Sequence, residues 1–447
     1  MATNVMNSSG RAWRSEITHP SLPEVHSSLH VPRSASSLQK LLAFAGPGFL
    51  IAVGYMDPGN WATDLAAGSR YNYALLSVIF VSNLMAVLLQ SLAVKLGVAT
   101  ERDLAQACRT HYSRRVNVGL WAFAEIAIAA CDLAEVIGSA LALNLLFHIP
   151  LLWGVCLTGL DVILLLLLQQ KGFRMIEALV ISLIALIGVC FGLEILFSRP
   201  DLLGIAHGFL PSTQVIRDPG MLYIAIGILG ATVMPHNLYL HSAIVQTRKY
   251  ERTPEGKREA IKFCTLDSTI ALTIALFVNA AILIVSAATF YRHGYNQIAE
   301  ITDAYKLLSP LLGVTAASTV FALALLASGQ NSTLTGTLAG QVVMEGFLNI
   351  RLRPWLRRLI TRTLAIIPAI IVTAFWGSSG TAKLLVFSQV ILSMQLSFAV
   401  FPLVQFTSDR QKMGEFVNAP WLKGLGWFTA IAIALLNAWL LVLAFRG

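Results

Sequence analysis

Two proline-containing motifs interrupt apolar stretches of the chain: Gly54-Tyr55-Met56-Asp57-Pro58-Gly59-Asn60 and Ala231-Thr232-Val233-Met234-Pro235-His236-Asn237. Proline has no N–H and cannot donate to the carbonyl four residues earlier. Pro58 therefore frees the carbonyl of Gly54, and Pro235 frees that of Ala231. Beside each freed oxygen stands a side chain able to hold a cation: Asp57 and Asn60 in one motif, Met234 in the other. Oxygen donors alone suit Mg²⁺ or Ca²⁺. A thioether shifts the preference toward softer ions such as Mn²⁺, Fe²⁺, Co²⁺ or Cd²⁺. Thiolates are absent from the motifs and imidazole is scarce, which argues against a tight structural zinc site. A plainer reading makes Asp57 and Asn60 caps of a half-helix beginning at Trp61, and Met234 core filler. Capping accounts for Asn60 but not for the matching break in the second motif.

The elements that position these motifs are membrane helices. The 447 residues are 56% hydrophobic and 12% charged, against roughly 25% charged in soluble domains. Eleven apolar spans are expected, near 42–69, 72–97, 118–147, 151–169, 175–197, 220–247, 265–290, 312–347, 356–376, 381–403 and 424–446. The basic residues gather in alternate loops: Arg102, Arg109, Arg114 and Arg115; then Arg248 to Lys262; then Arg351, Arg353, Arg357, Arg358 and Arg362. That asymmetry predicts a cytoplasmic N-terminus and an extracytoplasmic C-terminus. It also accounts for the net charge of +9 without nucleic acid. Residues 1–40 read as a disordered cytosolic tail and 41–447 as one transporter domain. The tail has no apolar segment of a secretory signal. The five cysteines are scattered, without a CxxC pair, and read as small apolar residues.

The breaks fall in spans 1 and 6, five spans apart, so a second five-span unit must be inverted relative to the first. The expected fold is an all-α polytopic membrane protein with a LeuT-type inverted repeat, spans 1–5 and 6–10, plus an eleventh span. Paired breaks at membrane depth point to a binding site at the repeat interface.

Span 3 carries Glu125, Asp132 and Glu135. At 100° per residue Glu125 and Asp132 lie within about 20° of each other and Glu135 about 60° further round, along about 15 Å of helix. Arg357 and Arg358 begin span 9 at the depth of Glu125. A static salt-bridge network and a proton track both fit this pattern. His241 and Asp64 are candidates for an aqueous path, and Asp161 of span 4 has no assigned role. There is no HExxH, Walker sequence or nucleophile–base pair, so an enzyme is not expected, nor is a resident cofactor or an obligatory protein partner.

The segments MDPGNWATDLAAGS, ATVMPHNLYLHS and GQNSTLTGTLAGQVVMEGF (329–347) resemble signature motifs of the Nramp family of proton-coupled divalent-metal transporters. The likeness runs over about residues 40–446. It implies that Asp57, Asn60 and Met234 are side-chain metal ligands, with the Gly54 and Ala231 carbonyls as backbone ligands. Gln389 matches a position that joins the metal in some conformations. It further implies a proton route with His236 and Glu135 nearest the metal and Asp57 as a proton acceptor. Met234 separates the chain from the magnesium- and aluminium-transporting branches of that resemblance. The expected function is import of Mn²⁺, with Fe²⁺ and other divalent ions, across a bacterial inner membrane with proton co-transport. A transporter of organic solutes on the same scaffold is the rival, disfavoured by the acidic Asp57 in the break.

Overall fold

A computed structural model describes residues 13–17, 19–32, 36–160, 172–296, 298, 300–350, 356, 359–360, 363, 366–371, 375 and 381–446. Their helices, in order, are α1 (Ser37–Phe44), α2 (Pro47–Gly54), α3 (Pro58–Tyr71), α4 (Leu76–Thr100), α5 (Leu104–His111), α6 (Arg114–Phe147), α7 (Leu151–Thr158) and α8 (Phe173–Ser198). They continue with α9 (Leu202–Gly208), α10 (Gln214–Arg217), α11 (Pro219–Thr232), α12 (Pro235–Ile244), α13 (Pro254–Thr289), α14 (Ile301–Leu312), α15 (Ala317–Leu348), α16 (Thr381–Thr407), α17 (Arg410–Met413) and α18 (Pro420–Arg446). Among the described residues, seven helices or helix pairs are long and apolar enough to cross a membrane, and the bent pair α1–α2 makes an eighth. Helix α15 is long enough but polar in its middle. Its Asn331 and Ser332 are fully buried, so that polarity faces protein rather than lipid. Parts of spans 4 and 9 fall outside the described residues, as do Asp161, Arg357 and Arg358.

The inverted repeat shows in which spans touch. Span 2 (α4) packs on span 7 (α13), and span 3 (α6) on span 8 (α15). Span 7 holds the halves of span 1 (α2, α3) while span 2 holds the halves of span 6 (α11, α12). Span 3 meets span 10 (α16) as span 8 meets span 5 (α8). Each contact recurs five spans later, as a pseudo-twofold axis requires.

Proline ends one half-helix at each break and starts the next. Pro58 and Pro235 occupy the first position of α3 and α12, where a missing N–H costs nothing. A third bend, of 47°, separates α1 from α2 at Ala45 and Gly46. Gly46 has φ +134°, and a Cβ there would lie 2.3 Å from Glu177 Cδ, so only glycine fits. Charges pin this bend. The Ala45 carbonyl accepts from Arg248 Nη2 (2.6 Å) and Arg174 Nη1 (2.5 Å), and both arginines reach Glu177, at 2.7 and 2.8 Å. Asp267 of α13 accepts from the N–H groups of Gly46 and Gly48, at 3.2 and 2.7 Å, capping α2.

The N-terminal segment differs from its expectation as a disordered tail. Residues 13–17 and 19–32 lie against the basic face, where Leu22 is buried and β1 (Leu29–His30) pairs in parallel with β2 (Arg248–Lys249). Low apolar content hid this, because the segment is held by a few anchors and backbone bonds rather than by a core of its own.

Glu177 and Arg248 are both buried, so removing one charge strands the other. Glu177→Gln is expected to cost about 3–5 kcal/mol, read as a lowered Tm of the purified protein in detergent. A Tm equal to the parent's would show that the bend does not depend on this pair.

Candidate metal centre

The first break is stitched to four neighbours. Asp57 caps α3, one oxygen (Oδ1) accepting from Asn60 N–H at 2.8 Å. The Tyr55 carbonyl accepts from Asn60 Nδ2 (2.9 Å) and from Asn279 Nδ2 of α13 (2.7 Å). The Met56 carbonyl accepts from Trp61 Nε1 (3.3 Å) and from the hydroxyl of Ser328 in α15. The Tyr55 hydroxyl accepts from Gln90 of α4, whose Oε1 is 3.0 Å from His241 Nδ1 of α12. The capping role weighed for Asp57 is thus real, but it uses one carboxylate oxygen only.

The second break meets the first across a glycine. A Cβ on Gly54 would come 2.4 Å from Asn237 Nδ2 and 3.0 Å from Met234 Sδ. Asn237 also donates to the Ile51 carbonyl at 3.2 Å, tying α12 to α2. Met234 caps α12 and packs with Ala130, Cys131 and Leu392. Gln389 of α16 closes another side: a Cβ on Gly59 would fall 1.6 Å from its Nε2. Asp57, Asn60, Met234, Ala231 and Gln389 are all buried.

Asn60, Gln389, Asn237 and Asn279 each have a buried amide oxygen with no hydrogen-bond partner. Buried polar atoms are rarely left so, and four around one pair of breaks describe an oxygen-lined centre. Among the described residues no three His, Cys, Asp or Glu side chains gather as a metal cage.

Three of the acid-track residues reach this centre through a cysteine that the sequence reading treated as an ordinary small residue. Cys131 Sγ stands 3.9 Å from Asp57 Oδ2, 3.6 Å from Glu135 Oε1 and 3.9 Å from His236 Nε2. Asp132 and Glu135 lie over Gly336 of α15, whose Cβ would be 2.9 Å from Asp132 Oδ1 and 3.0 Å from Glu135 Oε1. Glu125 is apart from them, half-buried, accepting from Trp121 Nε1 at 3.0 Å. His241 and Asp64 are buried, so in this conformation neither lines open water. Gln90, Asn237, Asn279 and Ser328 also went unnoticed. For Gln90 and Asn279 a signal was available: a lone amide in the middle of an apolar span is costly unless it has a task.

Beyond α3 and α11, on the face opposite the basic one, a cavity of about 800 Å³ opens between Ala66, Arg70, Tyr223, Asn296 and Val386. Ala66 is nine residues past Asp57, about 13 Å along the helix. Thr63, Gly227 and Val386 lie between: a Cβ on Gly227 would come 3.2 Å from Thr63 Cγ2 and 3.9 Å from Val386 Cγ1. Asp57 and Asn60 are buried and do not line that cavity.

The sequence pattern of the Nramp family (natural resistance-associated macrophage protein-like) matches residues 48–443. The chain belongs to the Nramp family. A divalent metal cation transporter, MntH, of Nostoc sp. is 67% identical over 428 residues, covering 96% of this chain and 97% of the relative. The Listeria innocua protein of the same description is 65% identical over 431 residues, with 96% of each covered. An Eremococcus coleocola manganese transporter structure, solved with an aromatic bis-isothiourea compound, superposes with TM-score 0.86 at 44% identity, covering 94% of this chain and 90% of that one. Mhp1, a nucleobase-cation-symport-1 transporter, shares the fold at 14% identity and TM-score 0.60, covering 89% and 91%. The Nramp motifs named from sequence thus coincide with the two breaks and α15.

In this Nramp chain the contact at Gly54 leaves no room for a methyl. Gly54→Ala is expected to cost about 1–3 kcal/mol by overpacking. Asn237→Ala should recover part of that loss in the double variant, measured as coupled shifts in Tm. Simple additivity would mean that the two half-helices do not meet here.

Proposed function

We propose that this chain imports divalent transition-metal ions, Mn²⁺ foremost and Fe²⁺ among others, with proton co-transport by alternating access. The observation that carries the reading is the meeting of two proline-broken half-helices at Gly54, where a Cβ would lie 3.0 Å from Met234 Sδ, with Asp57 and Met234 both beside Cys131. Hard oxygens bind any divalent ion, and the single sulfur favours Mn²⁺ and softer ions over Mg²⁺ and Ca²⁺. The names of the MntH relatives and of the Eremococcus coleocola manganese transporter support the same substrate class. These are transporters, and no enzymatic step is assigned.

The Gly54 and Ala231 carbonyls complete the proposed ligand set, with Gln389 joining it in some conformations. Protons leave by Asp57, His236 and Glu135, then by Asp132 and Glu125 toward the arginines at 357 and 358. The cluster at Cys131 supports the first of these steps, because it brings the metal-side carboxylate, the imidazole and Glu135 within one thiol of each other. The basic face is taken as cytoplasmic, in a bacterial plasma membrane. A divalent ion moving inward then gains about 4.6 kcal/mol per 100 mV of inside-negative potential, twice the single-charge figure. MhsT, a structure solved with L-phenylalanine, shares the fold at 12% identity, so the scaffold alone does not exclude an organic solute. Here the space is already filled: Asn237 and Met234 crowd Gly54, and Gln389 crowds Gly59.

Met234→Ala is expected to let Ca²⁺ and Mg²⁺ compete about tenfold better against Mn²⁺, a change of about 1.4 kcal/mol in relative affinity. Competition uptake in proteoliposomes reads this, and unchanged selectivity would remove the sulfur from the site. Asp57→Asn should abolish saturable Mn²⁺ uptake in the same vesicles; wild-type rates would end the metal-centre reading. With a pH reporter enclosed, Glu135→Gln is expected to reduce proton entry more than metal entry. Equal losses of both would instead mark Glu135 as a packing acid.

A further inference from the structure

We infer that residues 13–17 and 19–32 form a strap that seals the cytoplasmic exit of the metal centre, holding the transporter shut on that side until it lifts. The inference rests on the transport reading and on the orientation assigned with it. The anchors are specific. Trp13 stands edge-on to Phe406 at 5.6 Å, with the Arg102 guanidinium 4.9 Å and the Lys412 ammonium 5.3 Å from its ring. Ser21 donates to Asp103 at 2.6 Å, and Leu22 N–H to Glu345 of α15 at 2.9 Å. Glu24 accepts from Gln341 at 2.9 Å, and Ser27 N–H donates to the Gln246 carbonyl just past α12 at 3.0 Å. Leu22 buries its side chain at φ +52°, a left-handed backbone uncommon for leucine and held only where surroundings fix it.

The place of the strap gives it a task. Beneath it lies a cavity of about 180 Å³, with Leu22, Glu24 and Val25 on one side and Phe173, Ile176 and Leu338 on the other. Phe173 and Ile176 begin α8, and Leu338 lies in the basic-side half of α15. The strap then pairs with Arg248–Lys249, directly after α12, and Arg248 is the residue that grips the Ala45 carbonyl at the head of α2. It therefore touches α8, α15 and the segment directly after α12, and is linked to the head of α2 through Arg248; separating these elements would open the centre toward the basic face. The chain reaches α1 only seven residues after β1, so displacing α1 and α2 pulls on the β1–β2 pairing.

The test labels the sealed cavity. In the full chain with Cys156→Ser, which removes the exposed thiol, Leu338→Cys supplies a target for a charged thiol reagent in detergent. Deleting residues 1–32, or separately Leu22→Glu, is expected to raise the labelling rate about tenfold, equivalent to about 1.4 kcal/mol in the opening equilibrium. Trypsin cleavage at Arg14 reports whether Leu22→Glu frees the strap. Labelling that stays slow in the deletion, or in a Leu22→Glu protein cut faster at Arg14, overturns the inference. Mn²⁺ binding by titration calorimetry in the same proteins separates the two readings: loss of binding in the parent sinks the transport reading, while a strap effect on labelling stands without it.

Discussion

A helix cut in the middle of a membrane must find protein partners for every peptide group it exposes, because lipid offers none. Most of the centre follows from this requirement at the first break. Tyr55 and Met56 lose their helical partners, and Asn60, Asn279, Trp61 and Ser328 replace them. Those donors come from spans 1, 7 and 8, so satisfying two carbonyls fixes the mutual placement of three spans. The side chains that bind backbone cannot also bind cargo through the same atoms. What remains unspent around the breaks is the amide oxygens of Asn60, Asn237, Asn279 and Gln389.

Close approach is the second consequence. Half-helices meet only where side chains are missing, and the contacts around the breaks run through glycine. Gly138 of α6 receives the Pro58 ring, with a virtual Cβ 2.2 Å from its carbons. Gly230 of α11 lies on the backbone of Gln389, 2.1 Å by the same measure. Such contacts gain dispersion at short range but tolerate no added methyl. The bend at Gly46 is held differently, by charges around one carbonyl. Ion pairs and hydrogen bonds can be exchanged for water as a helix swings, whereas an interdigitated apolar contact has no such substitute. The inner half of span 1 is thus fastened at its head by charges around one carbonyl, and the breaks by hydrogen bonds and glycine contacts together.

The fold was legible because prolines and charge asymmetry are local signals. Pro58 and Pro235 announce the breaks, their five-span offset announces the inversion, and the contact pattern of spans 2, 3, 7 and 8 reproduces it. Asp57, Asn60 and Met234 could be placed at the breaks for the same reason, being next to the prolines. Cys131, Gln90, Asn279 and Ser328 were not, since each acts on a break from a different span and its role exists only once the spans are assembled. The N-terminal segment was misread on composition. Its order comes from Trp13, Leu22 and backbone pairing to β2, none of which raises average hydrophobicity. The span expected at 312–347 is α15, whose polar centre is buried among other helices.

The division of labour within Asp57 bears on release as much as on capture. Its Oδ1 accepts from the Asn60 N–H, which fixes the carboxylate's orientation, and Oδ2 faces the Cys131 thiol at 3.9 Å. One-oxygen coordination is weaker than the two-oxygen grip that tight calcium sites obtain from a carboxylate. A thioether adds preference for soft ions without adding charge, and amide oxygens add coordination without adding charge either. On the proposed reading the centre holds a doubly charged ion against a single formal negative charge, with Glu135 across the Cys131 thiol. A cation arriving beside Asp57 favours loss of a proton from its surroundings, and a proton returning to Asp57 weakens the hold on the cation. Selectivity from the sulfur and release through the carboxylate are therefore separable in the same small site, which a cage of several acids would not allow.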